Sequence, residues 1–141
     1  KIDFFIKKYP DSDYAIDLKF KKDLIQNQMA AKELFVAKYY ISTQKWVPAI
    51  SRLKIIVKNF SNTIFVEEAL HRLVEIHYHL GLEVEAKKYA KILGYNYNSS
   101  EWFEQSYKIL NKNYVINDKK KTAEKKKKEE GLFNKIIKMI K

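Results

Sequence analysis

Apolar residues recur along the chain at the i, i+3, i+4, i+7 spacing of one helix face. Ile2, Phe5, Ile6 and Tyr9 show it, and Leu53, Ile56, Val57 and Phe60 repeat it. Each run ends in a similar string: Tyr9-Pro10-Asp11-Ser12-Asp13-Tyr14, Phe60-Ser61-Asn62-Thr63-Ile64-Phe65, and Tyr97-Asn98-Ser99-Ser100-Glu101-Trp102. The shared order is aromatic, turn residue, polar, Ser/Thr, any residue, aromatic. The Ser/Thr stands where a helix N-cap belongs, so Ser12, Thr63 and Ser100 are predicted to open helices. With three Gly and two Pro in 141 residues, a sandwich or barrel has few of the turns it needs. The class is all-α.

The elements follow in order. A helix closes at Tyr9, and Lys1 is expected to lie inside a unit whose first part precedes this sequence. Residues 13–28 are helical and 30–42 form a helix, and since no Gly or Pro separates them the first can run straight on into the second. A turn at Thr43-Gln44-Lys45 leads to a return helix over 46–60. Residues 63–80 form the next helix, Gly81 stops it by taking a left-handed conformation cheaply, and 83–93 returns. Gly94 is expected to stop that helix in the same way. A last helix covers 100–114.

This arrangement resembles the tetratricopeptide repeat. Ala49 and Ala86 fall where two helices cross closely. Ala30, Tyr40, Trp46, Ile50 and Leu53 fill one unit's apolar positions, and Ala69, Leu70, Leu73, Gly81 and Ala90 the next. Ala49 and Ala86 are 37 residues apart, slightly more than the usual repeat of about 34. The resemblance implies helical hairpins stacked as a short right-handed solenoid over residues 1–116. Such arrays offer long surfaces and bind proteins far more often than they catalyse.

Charge divides the chain further. Residues 117–141 hold ten Lys and four acids (+6), whereas 1–116 hold 18 Lys+Arg and 13 acids (+5). A Lys-rich linker is expected over 117–130. Residues 131–141, with Leu132, Phe133, Ile136, Ile137, Met139 and Ile140 among lysines, read as a basic amphipathic helix. Its first use would be docking on protein, its second an anionic leaflet, and folding back on the array is a third. Lysine dominance also suits an AT-rich genome, and without arginine–aromatic patterning nucleic acid is not expected as a partner. No apolar run reaches the ~20 residues that span a bilayer. There is no cysteine, no Ser-His-Asp ordering, no Gly-rich phosphate loop and no metal motif, so neither an enzyme nor a cofactor is expected.

A narrower resemblance rests on strings that occur in order: 31–40 (AKELFVAKYY), Ala49-Ile50-Ser51-Arg52-Leu53, Glu67-Glu68-Ala69-Leu70, Leu80-Gly81-Leu82 with Glu85-Ala86-Lys87, and Leu93-Gly94-Tyr95-Asn96-Tyr97 with Ser100-Glu101-Trp102. Together they resemble the BamD family, tetratricopeptide lipoproteins of the outer-membrane β-barrel assembly machinery. Leu93–Tyr97 is most similar to its alphaproteobacterial members. The resemblance covers residues 2–114 and the family's C-terminal half. It implies a scaffold at the periplasmic face of the outer membrane, lipid-anchored through a segment outside this sequence. The implied partners are the POTRA region of BamA, other assembly subunits and unfolded outer-membrane proteins. The alternative is a generic repeat adaptor in the cytoplasm.

Candidate contacts follow. Arg52 matches the basic residue of an Ala-x-x-Arg pattern on the family's BamA-facing surface, and Lys45, Lys54 and Lys58 make its surroundings basic. Arginine and lysine differ here, because only the planar guanidinium pairs bidentately with a carboxylate. Glu68, His71, Arg72, Glu75 and His79 form a polar stripe predicted to face the groove. His71 and His79 lie about 12 Å apart along a helix, too far to share one metal ion. Ala31, Leu34 and Lys38 stand where a carboxylate clamp would need Lys, Asn and Arg. Tyr14, Tyr39, Tyr40, Trp46, Phe60 and Tyr78 are expected to pack between helices. Tyr95, Tyr97, Trp102 and Phe103 are expected to cap the last unit, or else to leave an apolar patch.

Overall fold

The computed structural model describes residues 1–111; the predicted linker 117–130, the helix 131–141 and the end of the last predicted helix lie outside them. Six helices follow one another: α1 Ile2–Lys8, α2 Asp13–Ser42, α3 Trp46–Asn59, α4 Val66–His79, α5 Glu83–Asn96 and α6 Glu101–Leu110. Two compact units divide at Ser106 and Tyr107. The second is described only over the last residues of α6, closed by the Asn111 N–H to the Tyr107 carbonyl.

Within the first unit each helix packs on its chain neighbour, α1 on α2 and so on to α5. The reason lies in single apolar stripes, which only a neighbour can cover. Leu34, Leu53, Ile56, Leu73 and Ile76 fill the space between α2, α3 and α4. Ala30, Ala37, Ala49, Ala69, Ala86 and Ala90 mark where helices approach closely, and Ala49 and Ala86 are fully buried as the repeat pattern requires. Tyr40, Trp46 and Phe60 pack against this core. Tyr14 and Tyr39 do not; both are largely exposed, on flanks of α2 that no described helix covers.

The three turn strings share one backbone geometry. Tyr9, Phe60 and Tyr97 each donate to the carbonyl four residues back, and Ser12, Thr63 and Ser100 each donate to that aromatic residue's carbonyl. Ser12 then accepts from the Ala15 N–H and Ser100 from the Phe103 N–H, as N-caps do. Thr63 departs from expectation. Its hydroxyl donates to the Phe60 carbonyl at 2.7 Å, and α4 starts three residues later at Val66.

The two turns within hairpins form a second class. Lys45 N–H reaches the Tyr40 carbonyl and Leu82 N–H the His77 carbonyl, both at 2.8 Å, around residues with positive φ. That residue is Gly81 (φ 75) in one and Gln44 (φ 57) in the other. This six-to-one closure satisfies the last helical carbonyls and wants glycine at its centre. Gly94 is not a stop. It lies inside α5, where a Cβ would sit 2.7 Å from Cε2 of Phe103. Close approach of α6, not a turn, is what requires glycine there.

Gln44→Gly should therefore raise stability by about 0.5–1 kcal/mol, and Gly81→Ala lower it by about 1 kcal/mol, in denaturant unfolding followed by circular dichroism. Gly94→Ala should cost about 1–3 kcal/mol, and less in a Phe103→Leu background where the ring is gone.

Candidate protein-interaction surface

Arg52 projects from α3 toward α2. The small turn at residues 43–45 brings these helices antiparallel, so that Glu33, 19 residues earlier, stands beside it. The Arg52 Nη1 donates to Glu33 Oε2 at 3.1 Å, with side chains 42% and 19% exposed respectively. At about 100° per residue, Lys45 shares a side of α3 with Arg52, whereas Lys54 and Lys58 lie about 160° and 120° away. All three lysines are exposed. The predicted basic region is thus two surfaces: Lys45 and Arg52 on one flank, Lys54 and Lys58 on the outer face. A lysine count along the sequence misses this, and so does it miss Glu33.

The stripe on α4 also divides. Lys38 of α2 pairs with Glu68 at 2.7 Å, Glu68 with Arg72 at 3.4 Å, and Arg72 with Glu75 at 2.6 Å. Arg72 lies over the Trp102 ring of α6, 5.8 Å from its centroid. Such a contact suits a guanidinium whose buried Nε has no hydrogen-bond partner. His79 is exposed and meets the Trp46 ring at 5.0 Å.

His71 corrects the groove expectation, being only 2% exposed. Its Nδ1 lies 2.8 Å from Ser106 Oγ, and that hydroxyl donates to the Trp102 carbonyl at 2.8 Å. With its one hydrogen spent there, Ser106 accepts, so Nδ1 is the donor. The Nε2 faces Glu75 Oε1 at 3.4 Å. Serine, histidine and an acid are therefore in contact, but no base faces the hydroxyl and Ser106 is buried. The group clamps α6 to α4 and cannot deliver a nucleophile. The signal for it, two polar residues 35 apart, is invisible to helical periodicity.

Around this clamp Trp102, Phe103 and Tyr97 pack against Val66, Leu70 and Leu93. They cap the last hairpin as expected. Tyr95 does not, being almost fully exposed. No helix among the described residues is long and apolar enough to cross a membrane.

Burial works to raise the Glu75 carboxyl, but hydrogen bonds from His71 and Arg72, together with their charges, outweigh it and hold the group at about 2 rather than 4.5. A lowered carboxyl stabilises the fold above its unfolded value and loses that contribution as pH falls towards the folded one. Screening at a side chain 37% exposed limits the effect. The stability difference between wild type and Glu75→Gln should shrink by about 1–2 kcal/mol between pH 5.5 and 2.5 in parallel urea titrations.

The family described as YfiO, outer membrane lipoprotein, matches residues 1–93. Proteins named outer membrane protein assembly factor BamD are similar to this chain in several bacteria. That of Rickettsia prowazekii is 41% identical over 109 residues, covering 77% of this chain and 43% of the relative. That of Caulobacter vibrioides is 35% identical over 108 residues, 77% of this chain and 35% of the relative. That of Xylella fastidiosa (strain 9a5c) is 28% identical over 99 residues, 70% and 34%. The chain spans less than half the length of these relatives. Stacked helical hairpins and these matches agree: the chain belongs to the YfiO/BamD family of outer-membrane lipoproteins.

Proposed function

We propose that this chain is a non-catalytic scaffold segment of outer-membrane protein assembly, working at the periplasmic face of the outer membrane, where a lipid anchor elsewhere in the full protein would hold it. The observation that carries the reading is the similarity, over most of the described helices, to proteins named as assembly factors. The partner is the POTRA region of BamA. Supporting the insertion of β-barrel proteins then means holding that region, other subunits and unfolded clients in reach of one another.

The chemistry of docking is shape with charge. Arg52 offers a half-exposed guanidinium on the flank of α3 shared with Lys45. A carboxylate on the partner would meet it, and apolar surroundings would exclude water and strengthen the pair. Lys54 and Lys58, on the outer face, act at longer range. They speed encounter with an acidic surface and lose that effect as salt rises. Glu68, Arg72 and Glu75 are committed to one another and to Lys38. In this reading they hold the groove's shape, and His79 remains as its accessible polar contact.

Titration of the full chain with the purified POTRA region of the same organism's BamA tests the reading. Arg52→Gln should weaken binding by about tenfold, or ~1.4 kcal/mol. Arg52→Glu should weaken it more, since the new carboxylate opposes both the partner's acid and Glu33. Lys54→Glu with Lys58→Glu should lower the association rate and its salt dependence, with little change in dissociation. Saturable binding indifferent to Arg52 would move the contact elsewhere on the array. Absence of binding by a chain that is folded by circular dichroism would remove the POTRA region as its partner.

A further inference from the structure

Glu33 and Arg52 differ in how far they leave water: the acid is 19% exposed and the base 42%. A carboxylate withdrawn that far needs a fixed cation, so Glu33 holds Arg52 and does not surrender it to a newcomer. The bond uses Nη1 alone. A guanidinium carries five N–H donors in one plane, which leaves a second edge for another carboxylate while the first stays engaged. The pair also lies on a particular flank. Glu33 is about 140° around α2 from Lys38, which reaches α4. Glu33 and Arg52 therefore sit away from the packed α4 side.

We propose that Glu33 is a positioning residue for partner recognition: it locks the Arg52 side chain so that the uncommitted guanidinium edge receives an aspartate or glutamate side chain of the docking partner. This rests on the Arg52 contact proposed above. A free arginine loses the freedom of its long side chain when a partner binds, whereas one already held by Glu33 has lost it on folding. The same arrangement sets specificity. A neutral or basic group meets no reward at the free edge, and an acid must approach from the side Glu33 does not occupy. Lysine at position 52 would fail, because its ammonium would settle on Glu33 as a point charge without a second planar edge.

A double-mutant cycle with the same POTRA fragment tests this. Glu33→Ala should weaken binding about three- to tenfold when Arg52 is present and by less than about 1.5-fold in an Arg52→Gln background. Glu33→Gln keeps an acceptor oxygen in place and should stay within about twofold of wild type. Arg52→Lys should bind as poorly as Arg52→Gln. Unfolding midpoints are recorded for every variant, and Glu33→Asp, whose shorter arm withdraws the carboxylate, replaces Glu33→Ala if that variant does not fold. Equal losses from the Glu33 variant in both backgrounds would overturn the proposal, since Glu33 would then act through the fold alone. So would unchanged or tighter binding by that variant while Arg52→Gln binds weakly; this would leave the Arg52 contact standing. Binding insensitive to Arg52→Gln, or no binding by wild type, would overturn the contact and the positioning role together.

Discussion

Everything else in the array depends on how closely its helices cross. Ala30, Ala37, Ala49, Ala69, Ala86 and Ala90 have almost no contact with solvent and carry no side chain beyond Cβ. At these points neighbouring axes come near enough for Leu53, Ile56, Leu73 and Ile76 to interlock. Larger residues there would separate the helices and strand the leucines. The crossing distance also decides which polar groups meet. Glu33 with Arg52, Lys38 with Glu68 and His71 with Ser106 all join different helices across it.

α4 shows what a central position does to polar residues. It is covered by α3 and α5 as well as by Trp102 and Ser106 of α6, so groups along it must be satisfied within the protein. His77 donates from Nδ1 to the Leu73 carbonyl at 2.7 Å and lies against the Tyr89 ring. His71 uses Ser106, and Arg72 uses Glu68, Glu75 and the face of Trp102. Within a stripe that looks like an open recognition surface, His71 is turned inward, and Arg72 is tied to its neighbours. Together they hold the last described helix to the hairpin before it.

Local features of the fold were legible in the sequence and distant ones were not. Turn residues, the Ser12 and Ser100 caps, the left-handed Gly81 and the alanine crossings each follow from neighbours within a few positions. The run without Gly or Pro over 13–42 allowed one long helix, and α2 takes that option. Thr63 misled because a hydroxyl can serve the preceding turn as readily as the following helix. Gly94 misled because a glycine before Tyr95 reads as a stop until the ring of Phe103, nine residues on, is placed against it. Of the Arg52–Glu33 ion pair, the sequence pointed to Arg52 and gave no sign of Glu33. Their pairing depends on the angle at which two helices meet, which no spacing along one helix encodes.

The three interrepeat turns are alike although the intervals between them, 51 and 37 residues from Tyr9 to Phe60 to Tyr97, are not. The difference is 14 residues, close to four helical turns, and α2 absorbs it as one 30-residue helix where α4 has 14. Extra length placed inside a helix leaves the geometry of the turns untouched and adds a rod of about 45 Å in all. A rod of that length is a lever. Tilting it by about 10° would carry one end some 8 Å relative to the other, by the helix rise of about 1.5 Å per residue. Glu33 lies on the same rod as the apolar Phe20 and Leu24, more than two turns away. Because one unbroken helix carries all three, any tilt of its distant end would move Glu33 with it.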